Sequence, residues 1–159
     1  MLPIKTILHP TDFSDASAHA LKMAAMLARD YSARLILLHV IEPPVYYGEL
    51  GVSFSAPERY RESALERVAA LVHSLAPLNA EPLLLDGVAA PEILRVAKKE
   101  HADMIVLGSH GRTGIGRVLM GSVAEEIARK APCPVLIVRT PHEIPREEPS
   151  ATVTAVAVH

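Results

Sequence analysis

Between the middle and the end of the chain the sequence reads Gly108-Ser-His-Gly111-Arg-Thr-Gly114-Ile-Gly116-Arg-Val-Leu-Met-Gly121-Ser122, which holds five of the eight glycines. Glycine lets a backbone take positive φ and approach a ligand closely. Loops of this composition turn backbone N–H groups toward phosphate oxygens. Ser122 and Glu125 stand in the Ser-x-x-Glu spacing of a capping box, which predicts Gly121 and Ser122 at a helix N-terminus. There the helix dipole favours an anion, and Arg112 and Arg117 add positive charge. On composition alone two readings stand: a phosphate-binding loop, or a long glycine-rich turn with an ordinary helix cap. The Gly-x4-Gly-Lys-Ser/Thr string of the Walker loop is absent. A Gly-x-Gly-x-x-Gly dinucleotide fingerprint fails because Leu119 replaces its third glycine.

A second group is His9-Pro10-Thr11-Asp12, at the end of the first apolar run. Asp12 has two readings of equal weight: a ligand contact, or a helix cap shared with Ser14. Eight histidines invite a metal. His9, His39 and His110 are not arranged with carboxylates as zinc ligands are, and His9 and His39 read as buried or half-buried strand residues. Cys133, the single cysteine, reads as a small buried hydrophobe; one cysteine excludes an internal disulfide and a multi-thiolate metal site. With Glu125 taken by its cap, His110 is the candidate base within the glycine loop for phosphate chemistry. Little or no turnover is expected.

These residues need elements to position them. Ile4–His9, Arg34–Ile41, Pro82–Asp86, Met104–Leu107 and Pro134–Arg139 are apolar runs of strand length, of the unbroken kind that suits a sheet covered on both faces. Between them lie helical patterns. Ala20, Met23, Ala24, Leu27, Ala28 and Tyr31 form one stripe. Tyr60, Ala64, Leu65, Val68, Leu71, Val72 and Leu75 form another, with Pro57 suited to the first turn. Pro91–Glu100 is predicted to bury Ile93, Leu94 and Ala97, and Ser122–Lys130 is the last helix. The order β-α-β-α-β-α-β-α-β with right-handed crossovers predicts an α/β fold: a doubly wound five-stranded parallel sheet with helices on both faces. In the strand order 3-2-1-4-5, Pro10–Asp12 would face the glycine loop across the switch-point crevice. The last strand would be an edge, and Val135–Val138 would invite antiparallel pairing with a second copy.

Residues 42–56 read as a long loop in which Tyr46, Tyr47 and Phe54 form a lid, form a partner surface, or simply pack on the domain. The chain is expected to be one nucleotide-binding domain over residues 1–140. A tail covers 141–159, frayed or forming an added edge strand. With 159 residues, half of them apolar and a net charge of −2, there is no basic patch for nucleic acid and no anionic-membrane signal. No run approaches the ~20 apolar residues of a membrane span. Met1–Lys5 lacks the apolar core of a leader, so a cytoplasmic location is expected.

The motifs resemble the ATP-binding branch of the universal stress protein family, marked by Gly-x2-Gly-x9-Gly-Ser/Thr. Gly108, Gly111, Gly121 and Ser122 match it at every spacing, and the opening Ile-Leu-His-Pro-Thr-Asp-Phe-Ser and the closing Ala-Pro-Cys-Pro-Val-Leu-Ile-Val are similar too. The resemblance covers Ile4–Val138. It implies the order 3-2-1-4-5, a homodimer, and one ATP per subunit with Mg2+ or Mn2+ bridging the phosphates. It further implies Asp12 and the Val40 backbone at the adenine, with Pro10 and Thr11 lining that end. Gly108 and Gly111 would hold ribose and phosphates together with Gly121, Ser122 and Val123. The expected function is an ATP-binding stress-response regulator. The alternatives are a slow ATPase or phosphotransfer enzyme, and a dimer that needs no nucleotide.

Overall fold

A computed structural model describes residues 3–42, 58–110 and 120–140. Its elements are β1 (Thr6–Pro10), α1 (Asp15–Tyr31), β2 (Arg34–Ile41), α2 (Glu58–Ser74), β3 (Ala80–Asp86), α3 (Ala89–Lys99), β4 (Met104–Gly108), α4 (Ser122–Lys130) and β5 (Val135–Val138). Expectations for the aromatics Tyr46, Tyr47 and Phe54, for Pro57, for Gly111, Arg112, Gly114, Gly116 and Arg117, and for the 141–159 tail lie outside the described residues.

The five strands form one sheet of order β3-β2-β1-β4-β5, and every pairing is parallel. Successive side chains of a strand point to opposite faces. Ile7, Leu35, Leu37 and Val106 therefore pack with Ala20, Ala24 and Ala28 of α1 and Val68 of α2. Leu8, Ile36, Leu38, Ile105 and Leu107 pack with Ile93, Val96 and Ala97 of α3 and Ala124 and Ile127 of α4. Burial on both faces explains why the central strands read as unbroken apolar runs.

The alanine stripe of α1 lets that helix lie close to the sheet. Its N-cap is Ser14, whose Oγ accepts the Ser17 N–H at 3.2 Å. At Gly108 a Cβ would lie 2.8 Å from the Ala16 carbonyl carbon. Two parts of the helix pattern were read too broadly. Tyr31 is exposed, and on α2 Tyr60 and Leu65 are 42% and 51% exposed, with only Ala64 and Val68 fully buried. The helix α2 packs on β3 and β2 at the sheet's edge, so only a narrow stripe of it meets the core. The strand β3 starts at Ala80, two residues earlier than the apolar run, and holds Pro82 because an edge strand tolerates a missing N–H. Cys133 is half-buried against the α3–α4 cluster, where burial, and then the charge of Asp103, push its thiol pKa up, away from a reactive thiolate. Among the described residues no helix is long and apolar enough to cross a membrane.

Candidate functional site

At the carboxyl ends of the strands the sheet opens where its order reverses, between β1 and β4. The register of β1 on β4 runs only through Ile7–Met104 and Leu8–Ile105. Pro10 brings no N–H to extend it. Instead the His9 ring ties the strands, with Nδ1–H donating to the Val106 carbonyl at 2.8 Å. One strand over, His39 Nδ1–H donates to the Thr11 carbonyl at 2.7 Å. A carbonyl only accepts, so each ring carries its proton on Nδ1. Burial drives the His9 pKa down to about 4, against smaller upward pulls from the Val106 hydrogen bond and the Asp12 charge. Both histidines are buried, and both are structural ties, His9 between β1 and β4 and His39 between β2 and the turn after β1.

The crevice holds a cavity of about 330 Å3. Its walls are Pro10 at the end of β1, Thr11 and Asp12 after it, Leu38 to Val40 and Glu42 of β2 and its exit, and Leu107 to His110 of β4 and its exit. Gly121 to Ala124 at the start of α4, Ser17 of α1, and Ala89 and Ile93 of α3 complete the lining. Pro10, Thr11, Asp12, Val40, Gly108, Gly121, Ser122 and Val123 thus meet in one place, although the motifs lie about a hundred positions apart in the chain. Gly111 lies outside the described residues.

The start of α4 differs from the expected capping box. Gly121 is the N-cap, with φ −72° and ψ 154°, and no side chain caps it. Ser122 is the first helical residue. Glu125 donates its N–H to the Gly121 carbonyl at 2.9 Å and turns its carboxylate outward to Arg129, so it is not occupied by a cap. The spacing was right for a helix start, but the chain enters the helix one residue earlier than a serine cap at Ser122 requires. The Gly121 N–H donates to the Ser109 carbonyl at 2.8 Å, and the Ser109 N–H donates to Val138 at 2.9 Å. These bonds set the end of β4 beside the start of α4, which is what joins the two halves of the glycine motif. They also leave the N–H groups of Ser122, Val123 and Ala124 as the orphan donors of the first turn, and all three residues line the cavity.

The glycines serve two different purposes. Gly108 is forced by Ala16, whose carbonyl oxygen would lie 2.9 Å from an added Cβ. Gly121 has an ordinary backbone conformation that any residue adopts, so its bearing on the cavity is the lack of a side chain in the wall.

The acceptors come from the turn after β1 and from β2 and its exit. Asp12 Oδ1 accepts from Ser14 N–H at 3.0 Å and from Ser14 Oγ at 2.6 Å; Asp12 supports the α1 cap through Ser14 while also lining the cavity. Successive residues of a parallel strand direct their N–H and C=O to alternate neighbours. Leu38 accepts from Thr11 on the β1 side and Ile41 accepts from Gly87 on the β3 side. The main chain of Val40 therefore faces β1, whose ladder ends at Pro10–Leu38, and looks into the crevice. Glu42 was missed from sequence: its Oε1 accepts the Ala89 N–H at 3.0 Å, capping α3, whose N-cap Val88 has no side-chain bond. Ser17, Ser109, Ala89 and Ile93 were also missed. Only the position of Ser109 directly after Gly108 could have marked one of them. Among the described residues no three His, Cys, Asp or Glu gather closely enough to hold a metal ion.

The cavity is therefore lined both by the donors of the first turn of α4 and by the acceptors of Asp12 and the β2 main chain, at the switch point of a doubly wound sheet. The sequence matches the model of the universal stress protein family over residues 3–139. It is 37% identical over 144 residues to a universal stress protein of Methanocaldococcus jannaschii, covering 86% of this chain and 83% of that one. The solved structure of a second M. jannaschii universal stress protein is similar at a TM-score of 0.75 and 29% identity, over 89% of this chain and 99% of that one. The same fold occurs in a universal stress protein solved in complex with cAMP, at TM-score 0.65 and 24% identity over 88% of this chain and 100% of that one. It occurs again in one from Archaeoglobus fulgidus in complex with dAMP, at TM-score 0.64 and 22% identity over 87% and 99%. The chain belongs to the universal stress protein family.

Proposed function

We propose that this protein is a cytoplasmic ATP-binding regulator of the stress response with little or no turnover, made of one nucleotide-binding domain over residues 1–140 and a tail over 141–159. One observation carries this reading: the first turn of α4, uncapped by any side chain, lines the same cavity as Asp12 and Val40. An anion gains from the N–H donors of that turn and from the helix dipole. A base with an exocyclic amine gains from the acceptors. The complexes of two family members with adenine nucleotides, cAMP and dAMP, support the same assignment.

Ser122 and Val123 would bind the phosphates through their N–H groups, with Gly108 and Gly111 beside them and Gly121 leaving the wall free of a side chain. Pro10 and Thr11 would line the adenine end, Asp12 would accept from the amine, and Val40 would pair with the base edge. Since the described residues gather no metal-ligand cluster, a Mg2+ or Mn2+ ion would be held chiefly by the phosphates it bridges. The apolar edge strand β5 is proposed to join two copies.

The test is Gly121→Val. Its side chain stands in the path of the phosphates while its backbone stays ordinary. Calorimetry should show ATP binding lost with the circular dichroism spectrum retained. Unchanged affinity would remove α4 from the site. Mass spectrometry of the purified protein that finds no nucleotide, together with no binding by the wild type, would favour the nucleotide-free dimer.

A further inference from the structure

The hydroxyls of Thr11 and Ser17 lie 2.8 Å apart. Their residues are 7% and 4% exposed, and both line the cavity. Each hydroxyl has one proton to donate and two lone pairs. Thr11 Oγ1 already accepts the Phe13 N–H at 3.2 Å, and a backbone N–H can only donate. The pair makes one mutual bond and owns two protons. Whichever hydroxyl donates to the other, one proton is left over, and neither hydroxyl has another acceptor recorded among the described residues. A buried polar hydrogen is satisfied in nearly every native structure, and here the open side is the cavity.

Immediately next in sequence is Asp12, whose Oδ1 is held by Ser14 and whose carboxylate can only accept. We propose that the Thr11–Ser17 hydroxyl pair is a specificity-determining donor that reads a ring nitrogen of the bound base, while Asp12 beside it accepts from the exocyclic amine. The inference rests on the nucleotide reading of this cavity. A donor next to an acceptor matches a 6-aminopurine, which carries an amine beside N1 on one edge and beside N7 on the other. Guanine presents a carbonyl where the amine would be, and faces Asp12 with a second acceptor.

The experiment titrates ATP, 7-deaza-ATP and 1-deaza-ATP into the wild type, Thr11→Val, Ser17→Ala and Thr11→Ser, with melting curves alongside. In the wild type, one deaza analogue should bind about tenfold more weakly than ATP, the loss expected of one buried hydrogen bond. Thr11→Val or Ser17→Ala should bind ATP about tenfold more weakly and treat that analogue like ATP. Thr11→Ser, which keeps the hydroxyl, should retain the discrimination. If the wild type binds ATP and both analogues equally, the proposal is overturned without any variant, so a variant that fails to fold does not matter. An equal loss for all three ligands in the variants also overturns it, since the pair would then be only structural. A wild type that binds none of them refutes the nucleotide reading instead.

Discussion

Gly108→Ala separates packing from ligand binding at a glycine that the motif alone assigns to the ligand. The added Cβ would stand 2.8 Å from the Ala16 carbonyl carbon, 2.9 Å from its oxygen and 3.1 Å from its Cβ. Two of these atoms are backbone of the first turn of α1. That turn is pinned by Ser14 at its cap and by the bond between Ser17 and Thr11, so no flexible side-chain end can swing away. Inserting a methyl into a packed interior costs about 1–3 kcal/mol, and a pinned backbone neighbour puts this case at about 2–3 kcal/mol. A domain of this size loses roughly 2–4 °C of Tm per kcal/mol, so a fall of roughly 4–12 °C is expected. Thermal melts followed by circular dichroism measure it, and calorimetry with ATP gives the second axis. A shifted α1 disturbs Ser17, so ATP affinity should drop only modestly beside the large drop in stability. An unchanged melting curve with ATP binding abolished would refute the packing account and return Gly108 to the ligand.

Other consequences are open to measurement. His9 ordinarily titrates near 6.5 but is held neutral down to about 4 by burial; across that window the unfolded chain binds the proton and the folded chain does not, so stability rises with pH there and is lost on acidification. His9→Gln, which keeps a donor for Val106, should flatten the acid limb of the Tm–pH curve, and an unaltered limb would exclude His9 as its source. Asp12→Ala should weaken ATP more than GTP and narrow a wild-type preference of about one to two decades; a fixed ATP/GTP ratio with a lowered Tm would leave Asp12 as support for the cap alone. Ile137→Lys on the apolar edge strand β5 should turn a dimer into a monomer by sedimentation, and a dimer that survives it unchanged would put the contact elsewhere. Glu42→Ala should cost about 0.5–1 kcal/mol through the lost α3 cap, readable as a small drop in Tm that Glu42→Gln largely restores.

The sheet was legible because each of its central strands is covered on both faces, which writes Leu35–Leu38 and Ile105–Leu107 as continuous apolar runs. The helices were legible in place and less so in depth. Tyr60 and Leu65 keep helical spacing, yet α2 lies over the sheet edge and leaves them to solvent, and spacing carries no record of how wide the partner surface is. At the site, the glycine spacing and the Pro10–Asp12 turn were visible in the chain. The identity of the α4 cap was not, because Ser122 satisfies a capping pattern whether it stands at the N-cap or one residue inside. Glu42 was invisible for a different reason: it caps a helix forty-seven positions away, and only the fold makes that distance short.

The turn between β1 and α1 leaves Asp12 room for both of its readings, because one carboxylate has two oxygens. Oδ1 is spent on Ser14, and through it on the start of α1. The group keeps acceptor capacity toward the cavity it lines. The next residue, Phe13, sits at φ 64°, a left-handed conformation that is an outlier for an aromatic side chain and costs of order 1–3 kcal/mol. Its ring packs 4.5 Å from that of His39, and the Arg67 guanidinium lies 3.9 Å from its centre. His39 in turn holds the Thr11 carbonyl. Contacts from β2 and α2 thus fix the residues on both sides of Asp12, and a strained turn persists only where its surroundings over-determine it. Under the proposed nucleotide reading, a carboxylate held this way would already be oriented for the base, so little ordering of side chain or loop would oppose binding.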